Sequence, residues 1–183
     1  MTIPNALTLF RIALIPVFWI LETGGTRGGS WAALLVFIIA SLTDLVDGKL
    51  ARKTGQVTTF GKIMDPLADK LLVVAALLIF LSAGRTSPAA VMLIIGRELA
   101  VTSLRVVAIS SGKLMPAAVS GKWKTTFQMI YIILMLLHID TFSFVPFPLV
   151  IEQVTQWLVV IVTILSGVEY FWKCRDMIHL SAD

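Results

Sequence analysis

An all-α, polytopic membrane protein with six transmembrane helices is the fold class this sequence predicts, and three observations predict it. Of 183 residues, 57% are apolar and 14% charged, with a mean hydropathy of +0.91. A water-soluble domain normally carries about 25% charged residues. Apolar runs lie roughly at 4–21, 31–52, 62–83, 88–109, 116–138 and 150–172, each of the length, about 17–25 residues, that a spanning helix requires. Lys and Arg are also uneven between the two ends of these runs. Arg52, Lys53, Lys62, Lys113, Lys122, Lys124, Lys173 and Arg175 gather on one side and Arg27 and Arg85 on the other. The positive-inside bias then places both termini in the cytoplasm and the chain in the cell membrane as a multi-pass protein. Six spans leave no room for a soluble domain, so 1–183 reads as one integral membrane domain.

The first run contains Arg11 and lacks a small-residue cleavage site, so it reads as the first span and not as a removed signal. Thr23 to Ser30, with Gly24, Gly25, Gly28 and Gly29, reads as a flexible outer turn, and Ser82 to Pro88 as another. The second run ends in Arg52-Lys53-Thr54-Gly55, cations in a last turn followed by a glycine suited to a left-handed cap. The third begins near Gly61, and so short a connection makes the second and third helices antiparallel neighbours. Asp140 to Pro148, rich in Phe and Pro, reads as the last outer connection. Trp31, Trp157 and Trp172 fall near span ends, as aromatic belts do. The single cysteine, Cys174, excludes an internal disulfide framework, and His138 and His179 have no second histidine at ligand spacing.

Chemistry concentrates in two blocks, Asp44-Leu45-Val46-Asp47-Gly48-Lys49-Leu50-Ala51-Arg52 and Gly61-Lys62-Ile63-Met64-Asp65-Pro66-Leu67-Ala68-Asp69. Inside a bilayer each ionised Asp costs about 2.5–3.5 kcal/mol even on insertion scales, so four in such a stretch need compensation. At 3.6 residues per turn, Asp44, Asp47, Gly48 and Ala51 share one face of the second helix, and Gly61, Asp65 and Asp69 share one face of the third. Ion pairs with Lys49, Lys62 and Lys70 are the structural alternative. They leave the glycines in register unexplained, and buried pairs are weak stabilisers. Carboxylate-only ligands select a hard cation such as Mg2+, whose remaining positions go to water and substrate phosphates. Gly48 and Gly61 would let a bulky ligand approach the backbone. Arg52, one turn after Gly48, is placed to reach a phosphate.

These residues match a known pattern: the chain resembles the CDP-alcohol phosphatidyltransferases, whose signature is D-x2-D-G-x2-A-R-x8-G-x3-D-x3-D. Every element is present, as Asp44, Asp47, Gly48, Ala51, Arg52, Gly61, Asp65 and Asp69. The resemblance implies a six-helix fold, divalent metal (Mg2+ or Mn2+) on Asp44, Asp47, Asp65 and Asp69, and Asp69 as the base toward the acceptor hydroxyl. It also implies a nucleotide held by Asp44, Gly48, Arg52 and Gly61. Pro4-Asn5-Ala6-Leu7-Thr8-Leu9-Phe10-Arg11 is similar to the family's start, where Asn5 and Thr8 help hold the nucleotide; Asn5 as a plain helix cap is the alternative.

The acceptor is set elsewhere. Thr59 to Lys70, Gly96-Arg97-Glu98, Arg105 and Gly121-Lys122-Trp123-Lys124-Thr125 resemble the bacterial phosphatidylglycerophosphate synthase branch of the family, which implies glycerol 3-phosphate as acceptor. Two cations on one apolar helix, Arg97 and Arg105, are costly unless they face a polar cavity and an anion. Lys122 and Lys124 are expected to close that cavity. A local pair between Arg97 and Glu98 and head-group anchoring by the lysines are the alternatives. The implied reaction moves the phosphatidyl group from CDP-diacylglycerol to glycerol 3-phosphate at the cytoplasmic face. Expected partners are these substrates, membrane lipids and a second copy of the chain, with no nucleic acid. Another acceptor (inositol phosphate, serine or phosphatidylglycerol) is one rival, and a cation transporter using the same acids is another. Transporters tend to place sites at the midplane between repeats, and the sequence shows neither feature.

Overall fold

The computed structural model describes residues 3–54, 59–110, 119–138 and 147–179. Among them are six helices and no strand: α1 (Ile3–Thr23), α2 (Arg27–Thr54), α3 (Thr59–Ser82), α4 (Pro88–Ser110), α5 (Val119–Leu136) and α6 (Pro148–His179). Each expected apolar run coincides with one of these. The expected glycine cap at Gly55 and most of the 140–148 connection lie outside the described residues. The helices divide into two compact units, Met1–Ala83 with Met135–His138, and Gly84–Leu134 with Ile139–Asp183.

The first unit is built on α1, which packs along both α2 and α3. Thr8, Arg11 and Phe18 of α1 are fully buried, at spacings of three and seven that define one helix face, while Phe10, Val17 and Ile20 of the other faces are exposed. Phe18 meets Phe37 of α2 with ring centroids 5.9 Å apart. On α2 the buried stripe is Ala33, Phe37 and Ala40; on α3 it is Ala68, Leu72, Ala76 and Ile79. Small residues in these stripes let the backbones approach closely. His138, in the left-handed region at φ 48°, pairs through Nε2 with Glu22 Oε1 at 3.1 Å.

The turn between α1 and α2 is tighter than expected, because Arg27 to Ser30 are helical. Thr26 Oγ1 accepts the Gly29 backbone N–H at 3.1 Å, an N-cap that starts the helix early. A Cβ on Gly29 would stand 2.5 Å from the Leu21 carbonyl oxygen, so this glycine serves a close approach to α1 inside a helix. Gly25, at φ 67°, is the residue that turns the chain.

In the second unit α4 packs on α6. Ser87 precedes Pro88 at the first helical position of α4, and the Ser87 N–H donates to Gln156 Oε1 at 3.0 Å. Arg85 pairs with Glu152 of α6, and the Thr86 and Tyr131 hydroxyls are 2.6 Å apart. The turn leading into α4 is therefore tied by polar contacts to α5 and α6.

Many large apolar side chains face outward, including Ile20, Leu35, Met92, Leu99, Val106 and Leu165. Soluble monomers rarely present so much apolar surface. Among the described residues, Ala6–Thr23 and Pro148–Lys173 are long and apolar enough to cross a membrane. Six such spans were expected. In α2 and α3 the charges of the acidic blocks leave shorter apolar stretches, Gly28–Thr43 and Lys70–Ser82; α4 and α5 are interrupted by Arg97, Glu98, Arg105, Lys122 and Lys124.

The α1 face generates a stability prediction. Phe18→Ala, at 0% exposure, should cost about 3–5 kcal/mol. Phe10→Ala, at 49% exposure, should cost under about 1 kcal/mol. Thermal unfolding in detergent that shows equal losses for the two would contradict this packing.

Candidate active site: an acidic helix pair and a cationic cluster

The acidic blocks belong to the first unit. Position 44 follows Ala40 by four residues and 47 follows by seven, so the buried stripe of α2 runs directly into the register of Asp44, Asp47 and Ala51. On α3, positions 61 and 65 precede Ala68 by seven and three, and 69 precedes Leu72 by three. Both acidic blocks are thus helical, in register with the packed faces of their helices. The side chains of Asn5, Asp44, Asp47, Arg52, Asp65 and Asp69 lie outside the described residues, as do further particulars of Gly48 and Gly61. Among the described residues no group of three or more His, Cys, Asp or Glu could hold a metal. The fit of a divalent cation therefore rests on the donor set itself: four carboxylates at i,i+3 and i,i+4 on two helices, an oxygen-only set suited to Mg2+ or Mn2+.

On the same unit, Thr8 and Arg11 are wholly buried one turn apart on α1. Arg11 gave little signal in the sequence beyond a charge inside an apolar run. A cation buried to this degree is held only where polar or anionic groups answer it.

A separate cationic cluster belongs to the second unit and is built by three helices. Arg97 and Glu98 come from α4, Lys124 from α5, and Ser166, Gly167 and Tyr170 from α6. Glu98 Oε1 accepts from Arg97 Nη1 at 2.9 Å and from Lys124 Nζ at 2.7 Å. Arg97 Nη2 donates to Ser166 Oγ, and its guanidinium carbon lies 5.5 Å from the centre of the Tyr170 ring. The Tyr170 hydroxyl accepts from Arg105 Nη2 at 3.2 Å, so one buried tyrosine joins both arginines. A Cβ on Gly167 would come within 3.1 Å of Arg97 Cγ, which shows how closely α6 confines that side chain. Arg97 Nε is buried with no hydrogen-bond partner among the described residues. Arg97 also lines an open cleft of about 590 Å³ along α4 and α6, whose other walls include Met92, Leu93, Ile164 and Val168.

The cluster brings together Arg97, Arg105 and Lys124, three of the four expected acceptor residues. Lys122 is exposed, because a residue two positions from Lys124 on a helix turns to another side. Lys124, by contrast, is 4% exposed and inside the cluster. The local Arg97–Glu98 pair, first an alternative to a phosphate role, is present and shared with Lys124. Ser166, Gly167 and Tyr170 were missed. The signal was a polar stripe, Gln156, Thr163, Ser166 and Tyr170, at helical spacing and buried along α6.

Residues 1–165 match the family model described as CDP-alcohol phosphatidyltransferase. A Bacillus subtilis protein named CDP-diacylglycerol–glycerol-3-phosphate 3-phosphatidyltransferase is 44% identical, the match covering 98% of each chain. Proteins of the same name from Rickettsia bellii (34% identical, over 94% of this chain and 95% of the relative) and Wigglesworthia glossinidia brevipalpis (35% identical, over 97% of each) are also similar. With the full aspartate signature set on two adjoining helices, this chain belongs to the CDP-alcohol phosphatidyltransferase family.

Proposed function

We propose that the protein transfers the phosphatidyl group of CDP-diacylglycerol to the primary hydroxyl of glycerol 3-phosphate, yielding phosphatidylglycerophosphate and CMP. The observation that carries this reading is the intact aspartate signature in helical register on α2 and α3, in a chain whose relatives bear that reaction in their names. The whole chain, 1–183, works as one transferase domain.

Asp69 takes the proton from the acceptor hydroxyl. The freed oxygen attacks the phosphorus that carries the diacylglycerol, a new P–O bond forms, and the P–O bond to CMP breaks with its electrons leaving on CMP. Gly48, Gly61, Arg52, Asp44, Asn5 and Thr8 bind and orient the cytidine nucleotide. A divalent cation held by Asp44, Asp47, Asp65 and Asp69 would supply charge neutralisation at the pyrophosphate. Direct displacement is favoured over a covalent intermediate, since the motif offers no Ser, Cys or His paired with a base.

Arg97, Arg105 and Lys124 bind the phosphate of the acceptor, with Lys122 assisting from the surface. Each charge-assisted hydrogen bond there is worth about 1.5–3 kcal/mol. Support comes from three cations gathered on α4 and α5, and from Arg97 Nε, which is without a partner among the described residues. The protein is a multi-pass component of the cell membrane with six spans, both termini cytoplasmic and the chemistry at the cytoplasmic face. The Lys/Arg bias supports that orientation, and a lipid substrate with a water-soluble partner requires an interfacial site. Its neighbours are membrane lipids and a second copy of the chain.

Two tests follow. Chelation of divalent cations should abolish turnover, and Asp69→Asn should lower kcat by more than a hundredfold while CDP-diacylglycerol binding stays within threefold. Turnover by Asp69→Asn within tenfold of wild type would remove the base assignment. For orientation, in a Cys174→Ser background a cysteine replacing Arg85 should react with an impermeant reagent on intact cells, and one replacing Lys113 only after permeabilisation. Equal labelling would overturn the topology.

A further inference from the structure

Arg11 is wholly buried on α1, and the reaction described so far gives it no task. A guanidinium stays charged and cannot escape the cost of burial by losing its proton, so an anion has to stand near it. The acids of its unit are Glu22, Asp44, Asp47, Asp65 and Asp69. Glu22 lies about three turns away at the far end of α1, where it meets His138. Helix register selects among the others. The short α1–α2 turn makes the two packed helices antiparallel, and Phe18 of α1 meets Phe37 of α2. Both helices rise about 1.5 Å per residue, so seven residues back along α1 and seven forward along α2 lead to Arg11 and position 44 at one level. Position 44 continues the stripe of Ala33, Phe37 and Ala40 that α2 buries, and Arg11 shares the buried face of Phe18. Helical side chains lean toward the N-terminus of their own helix, which on α1 carries a long Arg11 away from the level of Ala40 and toward that of 44.

We infer that Arg11 is a positioning residue for the acidic site: it is the counter-charge of Asp44 and holds that carboxylate ready for a divalent cation. This rests on Asp44, Asp47, Asp65 and Asp69 being a metal site. Arg11 touches neither substrate nor metal; it acts through Asp44, as groups hydrogen-bonded to a ligating carboxylate do. Arginine suits the task because its planar fork fixes the orientation of a carboxylate, which the point charge of lysine does not.

The test is Mn2+ binding to the full-length protein in detergent–lipid micelles without substrates, read from the EPR signal of free Mn2+, together with thermal unfolding in the absence of metal. Arg11→Gln should raise the Kd for Mn2+ at least tenfold. Arg11→Lys, which keeps the charge but not the fork, should recover part of that loss, and it carries the binding test if the glutamine variant fails to fold. In unfolding, Arg11→Gln and Asp44→Asn each strand a buried partner, so the double variant should lose less Tm than the sum of the single losses. Strict additivity would overturn the pairing, as would a stronger coupling of Arg11→Gln to Asp47→Asn, Asp65→Asn or Asp69→Asn. Unchanged Mn2+ binding in both Arg11 variants would overturn the inference. So would tighter binding, which would mean that Arg11 competes with the cation for the carboxylate. Asp47→Asn and Asp65→Asn separate the two levels. If both bind Mn2+ as wild type does, the metal-site reading itself fails; if both lose it while the Arg11 variants do not, only the role of Arg11 is lost.

Discussion

Charge held inside apolar helices is the constraint on which the rest of this molecule depends. With only 14% charged residues in a chain of mean hydropathy +0.91, each buried ion has to be answered locally, since lipid and packed side chains offer no solvation. Glu98 answers Arg97 and Lys124, Glu152 answers Arg85, and Glu22 meets His138. None of these contacts is a strong source of stability alone, because desolvation offsets most of the attraction. Their effect is specificity: Lys124–Glu98 ties α5 to α4, while Arg85 and His138, just outside α4 and α5, are tied to α6 and α1.

In the proposed function some charges are answered by protein and others would be answered by ligand. In the second unit one acid stands among three cations, leaving an excess that a phosphate can satisfy. In the first unit the balance is reversed, with four aspartates of the signature on α2 and α3 and a buried arginine on α1. In the proposed reaction the excess of the first unit would be answered by a cation and that of the second by an anion.

Much of this was legible in residue spacing. The six helices follow from apolar runs, the run at 88–109 matching α4. The start of α2 was misplaced because Gly28 and Gly29 look like turn residues. Gly29 is instead a point of close contact with the Leu21 carbonyl, a property of packing that local pattern does not carry. The aspartate signature was readable because its members are near in sequence. Arg97, Arg105 and Lys124 were readable as charges out of place in apolar runs. Their organisation was not: Lys124 reaches Glu98 across 26 positions and Arg105 reaches Tyr170 across 65, and only tertiary packing closes such distances. Lys122 and Lys124 looked equivalent until the helix turned one inward and the other out.

The measurement that tests this account most directly is an acceptor panel. Purified protein would be given radiolabelled CDP-diacylglycerol and, separately, glycerol 3-phosphate, glycerol, serine and inositol phosphate, with CMP release and lipid product followed together. The account predicts that glycerol 3-phosphate is used at least a hundredfold more efficiently than glycerol or serine, with one CMP released per phosphatidylglycerophosphate formed. Comparable use of glycerol or serine, or CMP release without transfer to glycerol 3-phosphate, would contradict it.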